Sequence, residues 1–412
     1  MSSAAQPAIA APASAALENF PLPAQQAVRR ALSGFLLSGM LLSFLGAILP
    51  AWQAHLTLDF TIVGKYFLGF GLGVVFGVRL ARLVVAAKGY TAALVSACVI
   101  AGVAFAFLIF VPPPFPSLWR LSGLFLIGLA AAQLNMGLFH AVLPLYQRDR
   151  AATVNLAGAL FGLGCLATAL LFALAFYGLG LASVLGILAL MAAGFAFLFS
   201  RTRLPVAQEM PSSTDQRLRD LKSPIAVVVG VLLFFQIGNE WCIAGWLPIF
   251  LIRRLGSSPA ASLLILACFW AALLAGRFIA QAILPRRNAS RLLIGSVLVE
   301  LAGYFLLSMT NNLFGASVGI LALSAGFALV YPLVAKTTGD RLPGARQPDF
   351  FHGAFIFAFA GALGSPWLLG FLAQAWGIGA VMILPLIGTV IVFVLLLVLM
   401  IEAFLSSNRR SV

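Results

Sequence analysis

Runs of about 20 mainly apolar residues follow one another almost from end to end of this chain. A helix of that length crosses the hydrocarbon core of a bilayer, because each residue adds about 1.5 Å and the core is roughly 30 Å thick. Of the 412 residues, 62% are hydrophobic and 9% are charged. Soluble domains usually carry roughly 25% charged residues. The sequence therefore predicts an all-α polytopic membrane protein.

Twelve transmembrane spans can be counted in the sequence. Short polar or proline-rich breaks separate them, as expected for loops at the two membrane surfaces. The predicted spans are 32–54, 60–82, 90–111, 119–143, 152–177, 181–200, 224–251, 260–284, 290–310, 313–335, 351–375 and 379–404.

The segments outside these spans are short. Residues 1–23 are rich in Ala and Pro and lack the basic start of a signal peptide, so we expect a disordered N-terminal tail. The longest internal break, 201–223, mixes charges and holds two prolines, and we expect a cytoplasmic linker there. Residues 406–412 are expected to form a C-terminal tail. The four cysteines all fall inside predicted spans without metal-ligand spacing, so neither a metal site nor a cofactor is expected.

The positions of the basic residues predict the orientation. Twenty of the 25 Lys and Arg residues fall on the tails and the even-numbered loops. Lys65, Arg120, Arg253 and Arg254 fall on the other side, and Arg277 lies within a span. By the positive-inside rule, we expect both termini to lie in the cytoplasm. The expected location is the cell inner (cytoplasmic) membrane. Topology then explains the net charge of +14, and no nucleic-acid partner is expected.

The two halves of the chain, 24–200 and 224–405, share a pattern of six spans each. At offsets of 197 or 198 residues the following positions coincide: Leu49-Pro50 with Leu247-Pro248, Arg79 with Arg277, Gly128 with Gly326, and Gly164 with Gly361. An even number of spans in each half gives both halves the same topology and a pseudo-twofold axis along the membrane normal. Parallel repeats of this kind are a transporter architecture, with substrate bound between the halves near the midplane.

These features resemble the major facilitator superfamily across nearly the whole chain. Four segments are similar to its fucose permease branch: GLAAAQLNMGLF (128–139), GNEWCIAGWLPIFL (238–251), FWAALLAGRFIAQAIL (269–284) and GFALVYPLVAK (326–336). The resemblance implies two pseudo-symmetric six-helix bundles whose first, fourth, seventh and tenth spans line a central cavity. It also implies transport of a sugar. The Gly-Pro antiporter signature is missing from the fifth span, which argues against drug efflux.

Glu240 is a carboxylate in the middle of the seventh span. An ionisable side chain at mid-membrane costs about 2.5–3.5 kcal/mol, so each one is a candidate for function. Gln236 lies one helical turn before Glu240, Asn239 is adjacent, and Trp246 continues the same side. A polar face with an aromatic edge suits a sugar, and we expect these four residues to bind the solute. The alternative is that Glu240 only bonds neighbouring helices.

Three further polar residues are expected at the solute site. By the resemblance, Gln133 stands where the family has a protonatable Glu, and Ser38 lies in the first span, where the family carries an Asp. Tyr331 comes from the tenth span. Both of the family's proton carriers are thus replaced. The candidates for proton coupling are Glu240, Glu300 and His140. For Glu300 and His140 a packing hydrogen bond is the alternative.

Arg79 and Arg277 lie near the predicted cytoplasmic ends of the second and eighth spans. An arginine so placed can extend its guanidinium to the membrane surface. The paired placement in the two repeats favours a second role, in which the arginines bond across the halves and close the cytoplasmic side. The sequence does not identify the carboxylate partners of these arginines.

The function predicted from these features is secondary active or facilitative transport of a small polar solute, most plausibly a sugar, by alternating access. The chain has no nucleotide-binding loop and no catalytic cluster in its loops, so neither an enzyme nor an ATP-driven pump is expected. Efflux or flipping of an amphipathic drug-like or lipid substrate is one alternative, and a non-transporting membrane scaffold is another. The expected partners are the solute, the lipid bilayer and, if transport is coupled, a proton. Short loops lead us to expect a monomer.

Overall fold

The structure is a computed structural model of the chain. It describes residues 22–52, 59–142, 145, 150–202, 224–283, 289–339 and 347–410. Almost all of the predicted N-terminal tail and of the predicted linker lies outside these residues. The first described helix begins at Leu22 and the last ends at Arg410.

Eleven long α-helices make up nearly all of the described chain. They are α1 (Leu22–Trp52), α2 (Phe60–Ile109), α3 (Ser117–Ala141), α4 (Arg150–Leu174), α5 (Leu181–Ser200), α6 (Pro224–Leu255), α7 (Pro259–Ile283), α8 (Ala289–Met309), α9 (Leu313–Gly339), α10 (Gln347–Trp376) and α11 (Ala380–Arg410). One turn of π-helix, Ala175–Leu179, extends α4. Eleven helices are long and apolar enough to cross a membrane, which confirms the prediction of an all-α protein with many spans.

Helix α2 is too long to be a single span. Its 50 residues would extend about 75 Å at 1.5 Å per residue, more than twice the thickness of a bilayer core. Gly89 interrupts the helix with φ 81° and ψ 176°, a conformation that glycine adopts without strain. The break separates residues 60–88 from 90–109, which correspond to the predicted second and third spans.

The helices pack as two groups, α1 to α5 and α6 to α11, and the same glycine contact occurs in both. In the first group α1 packs against α4, and in the second α6 packs against α10. A Cβ on Gly164 would clash with the Leu36 carbonyl, and a Cβ on Gly361 would clash with the Phe234 carbonyl. Gly164 and Gly361 are the pair that the sequence repeat aligns. The repeat is therefore also present in the packing.

The two groups meet mainly along three helix pairs: α1 with α6, α2 with α10, and α4 with α7. We call the end of the bundle where α1 begins the Leu22 side, and the opposite end the Trp52 side. Near the Trp52 side, a Cβ on Gly46 of α1 would clash with the Ala244 carbonyl of α6. Gly64 of α2 contacts Gly370 of α10 in the same way. Glycines thus let the two groups close together on the Trp52 side.

Two side chains strengthen this closure. Gln374 of α10 accepts a hydrogen bond through Oε1 from the Phe60 backbone N–H at 2.8 Å. Phe60 is the first residue of α2, where backbone N–H groups lack partners within the helix. The ring of Trp246 stacks on Phe67 of α2 at a centroid distance of 5.9 Å, and its Nε1 donates to the Pro366 carbonyl at 2.9 Å. The Gln374 hydrogen bond and the stacking of Trp246 on Phe67 join the two groups on the Trp52 side, whereas the bond from Trp246 to Pro366 joins α6 to α10 within the second group.

Replacement of Gly46 tests the close contact between α1 and α6. Gly46→Ala should destabilise the protein by about 1–3 kcal/mol, because the added methyl group overlaps the Ala244 carbonyl and the backbones must separate. Gly186→Ala in α5 is the matched control, since no atom lies within 4 Å of the added methyl group. Thermal unfolding of the purified proteins measures the stability of each variant. Equal unfolding midpoints for Gly46→Ala and Gly186→Ala would contradict the close contact between α1 and α6.

Candidate functional site

A cavity of about 220 Å³ lies between the two groups, beside the closed Trp52 side. Each group contributes two helices to its walls, α1 and α2 from the first and α6 and α10 from the second. The aromatic side chains that line it are Phe67, Phe70, Trp241 and Phe359. Among its described lining residues Ser43 is the only one with a hydroxyl, and that hydroxyl already donates to the Gly39 carbonyl at 2.8 Å. The cavity is therefore apolar.

Glu240 and Arg277 form an ion pair near the middle of the bundle. Nη2 of Arg277 lies 3.5 Å from Oε1 of Glu240, and the side chains are 31% and 11% exposed respectively. Arg277 belongs to α7, which packs against α4 of the other group. A Cβ on Gly158 of α4 would lie 3.9 Å from Nη1 of Arg277. The pair thus reaches the boundary between the groups, but both of its residues belong to the second group. It gives Arg277 a carboxylate partner within its own half, and bonding across the halves stays a prediction.

The other polar residues of α6 bond within the second group. Gln236 donates through Nε2 to Oε1 of Glu300 in α8 at 2.9 Å. Asn239 donates through Nδ2 to Oγ1 of Thr389 in α11 at 3.0 Å, and its carbonyl accepts from the Tyr304 hydroxyl at 3.3 Å. All five residues are buried. These bonds tie α6 to α8 and α11.

The bond between Gln236 and Glu300 leaves two oxygens unsatisfied. Oε1 of Gln236 and Oε2 of Glu300 are buried and have no hydrogen-bond partner in the described residues. A buried acceptor without a donor is costly, and a buried carboxylate with a full charge is more so. Oε1 of Gln236 and Oε2 of Glu300 therefore both lack a hydrogen-bond donor among the described residues.

The face of α6 that lines the cavity differs from the face that the sequence favoured. The lining residues are Ile237, Trp241, Ala244 and Gly245, an apolar stripe at helical spacing. The polar residues around Glu240 lie on the neighbouring face. Trp246, expected as the aromatic edge of the site, is fully buried against α2 and α10. Trp241 is the aromatic residue of α6 in the cavity, and sequence reasoning missed it.

Gln133 and Ser38 make contacts inside the first group. Gln133 is fully buried and donates to the Ala93 carbonyl at 3.1 Å and to the Ser96 hydroxyl at 2.5 Å. Ser38 donates to Oδ1 of Asn135 at 2.8 Å. Neither residue lines the cavity described above. In this conformation both residues join helices of one group.

The remaining candidates lie apart from the cavity. His140 stacks on Tyr90 near the Leu22 side, with ring centroids 3.4 Å apart and ring planes 3° from parallel. Arg79 is exposed on α2, and no ion pair involves it among the residues that the structure describes. The side chain of Tyr331 is outside the described part of the chain. The structure thus unites Arg277 with Glu240 and Glu300 with Gln236, and it leaves His140 and Arg79 elsewhere.

Neither a protein-family model nor a curated protein matches the sequence, but solved structures match the fold. The nucleoside transporter NupG superposes with a TM-score of 0.72 at 14% identity, covering 91% of this chain and 99% of that one. A bacterial homologue of the human lysosomal transporter Spinster, inward-facing and unoccupied, superposes with a TM-score of 0.68 at 13% identity, covering 92% of this chain and 97% of that one. A D-xylose-proton symporter superposes with a TM-score of 0.68 at 15% identity, covering 88% of this chain and 96% of that one. All three are transporters of the major facilitator type, and this chain shares their fold.

A double-mutant cycle tests the ion pair. Arg277→Gln should lower the unfolding midpoint, because it leaves the Glu240 carboxylate nearly buried without a counter-charge. Adding Glu240→Gln should recover part of the loss, with a coupling energy on the order of 1 kcal/mol. Arg79→Gln, the exposed repeat mate, is the control and should leave stability unchanged. If the losses of stability measured by thermal unfolding are strictly additive, the side chains of Glu240 and Arg277 do not interact.

Proposed function

We propose that the protein is a secondary transporter that moves a small polar solute across the membrane by alternating access. The observation that carries this proposal is the cavity walled by two helices from each group. The walls of such a cavity change whenever one group rotates against the other. The Trp52 side is shut by contacts between the groups, so a rotation would open that side and close the Leu22 side. The shared fold with three solved transporters supports the same class of function.

The proposed topology has twelve spans. It counts residues 60–88 and 90–109 of α2 as two spans, on either side of Gly89. Six spans then belong to each group, and both chain ends lie on the Leu22 side. The excess of Lys and Arg on the tails and even-numbered loops supports a cytoplasmic Leu22 side, and the proposed location is the cell inner membrane.

The proposed polar contact for the solute is the ion pair of Glu240 and Arg277. Arg277 is 31% exposed, so a solute between the groups can reach it. A carboxylate and a guanidinium accept and donate hydrogen bonds, which is what the hydroxyls of a sugar require. D-xylose and nucleosides, named for two of the similar structures, both carry sugar hydroxyls. These features support a sugar-like solute, in keeping with the resemblance to the fucose permease branch.

The proposed site of proton coupling is Glu300. A proton on Oε2 of Glu300 would supply the donor that Oε1 of Gln236 lacks. The carboxyl of Glu300 and the amide of Gln236 would then each donate one hydrogen bond to the other. Glu240, on the adjacent turn of α6 and paired with Arg277, is the second candidate. Tyr304 is the other titratable side chain of α8 in this polar core. His140 is the third candidate.

Uptake by the full-length protein in liposomes tests the function. We expect saturable uptake of at least one labelled sugar, reduced at least tenfold by Glu240→Gln, because the amide cannot keep the charge that pairs with Arg277. Gly186→Ala is the control and should transport normally. Absence of uptake with every sugar and glycoside tested, from protein that remains folded, would contradict the proposed function. Full activity of Glu240→Gln would support a site elsewhere.

The same liposomes separate coupled from uncoupled transport. An imposed pH gradient should drive accumulation by the native protein. In Glu300→Gln we expect this accumulation to be lost while exchange of labelled for unlabelled solute continues, since the amide cannot release a proton. Accumulation by Glu300→Gln equal to that of the native protein would exclude Glu300 as the proton carrier.

A further inference from the structure

The cavity walls do not suit a free sugar. Apart from Ser43, no described side chain in the lining carries a hydroxyl, carboxylate, amide or charged group, and the Ser43 hydroxyl is already bonded to Gly39. A sugar placed here would lose hydrogen bonds to water at each of its hydroxyls and gain almost none. The cavity therefore fits a different part of the solute from the hydroxylated part.

Aromatic side chains from both groups provide the walls. Phe67 and Phe70 come from α2, Trp241 comes from α6, and Phe359 comes from α10. Such surfaces contact a flat ring or a short alkyl chain over a large area, and burying that apolar area away from water drives binding. Gly46 and Gly245 also line the cavity, and each allows a close contact beside it: a Cβ on Gly46 would clash with the Ala244 carbonyl, and a Cβ on Gly245 would clash with the Phe67 ring.

Helices α2 and α10 border the cavity on one side. These helices touch at Gly64 and Gly370, and again where a Cβ on Gly71 would lie 3.5 Å from Cβ of Leu363. Beyond that contact Phe76 of α2 and Phe359 of α10 are exposed, the latter by 55%. Phe359 also lines the cavity, so the described residues do not fully enclose the cavity on this side.

Polar groups lie beside the apolar cavity. Trp241 directly follows Glu240 in α6, and its ring packs against Trp270 of α7 with centroids 6.4 Å apart. Trp270 lies two helical turns before Arg277 in the same helix. Nε1 of Trp270 is buried and has no acceptor among the described residues. An indole donor without a partner and an ion pair therefore lie behind Trp241, next to a space without polar groups.

We propose that the transported solute is amphipathic, a hydroxylated head with one compact apolar group, as in an aryl or short alkyl glycoside. The apolar group occupies the cavity between Trp241 and the phenylalanines of α2, and the head bonds the Glu240–Arg277 pair. This inference rests on the transport function proposed above and specifies the solute class of that same site. It accounts for two neighbouring features of α6: one face lines the apolar cavity, and the adjoining face carries Glu240, which pairs with the exposed Arg277.

A homologous series of glycosides tests the inference. Binding of methyl, butyl and hexyl β-D-glucoside to the full-length protein in nanodiscs is measured by calorimetry, with empty nanodiscs subtracted to remove partition into lipid. Affinity should rise at least tenfold from methyl to hexyl glucoside. Ala362→Phe, which fills the cavity from α10, should reduce this ratio to about one. Trp241→Leu removes the ring while keeping an apolar side chain, and it should lower the ratio several-fold. Gly186→Ala should keep the native ratio.

Each outcome decides between the proposals. A ratio near one in the native protein, together with sugar uptake in liposomes, would overturn the amphipathic solute and leave the transport function intact. A high ratio unchanged by both cavity variants would place the apolar group elsewhere and overturn the site. Absence of both binding and uptake with every glucoside, from folded protein, would contradict the transport function itself. Trp241→Leu decides the site if Ala362→Phe does not fold.

Discussion

Backbone contact at glycines holds the two groups of helices together, and the cavity begins where that contact ends. In a bilayer the lipid tails are as apolar as the helices, so close packing, rather than the hydrophobic effect, drives helix association. Gly46 against Ala244 and Gly64 against Gly370 give that packing on the Trp52 side. Gly46 also lines the cavity, so one residue both closes the bundle at one end and shapes the space beside the closure.

The apolar surroundings of the bundle also decide which partners the polar side chains of the second group bind. Once a polar group lies inside a packed bundle, it must find a partner there, because lipid offers none. Gln236 and Asn239 find theirs on α8 and α11, deep within the group. The Glu240–Arg277 pair differs because it lies where α7 meets α4 and retains some exposure. Under the proposed function, a solute would replace part of this interaction without opening the core of the second group.

Much of this arrangement could be predicted from sequence. The apolar runs located the described helices, including the two segments of α2 that Gly89 separates, and the repeat predicted that Gly164 and Gly361 have equivalent roles. The direction of each side chain could not be predicted. Helix α6 is mostly apolar around its whole circumference, so its pattern does not show which face meets the cavity. Trp246 seemed the natural aromatic partner of Glu240 by spacing, yet the contact with α2 buries it and leaves Trp241 at the cavity.

Alternating access requires the two ends of the bundle to move in opposite senses, and interspin distances measure this directly. Labels would be placed on Lys65 and Trp376 at the Trp52 side, and on Val154 and Ile279 at the Leu22 side, in a variant without native cysteines; all four positions are exposed. Gln374→Ala removes the hydrogen bond that joins α10 to the start of α2. The expected result is a larger population at long distance for Lys65 and Trp376, with a larger population at short distance for Val154 and Ile279. Lengthening of the first distance while the second stays unchanged, or lengthening of both, would contradict transport by alternating access.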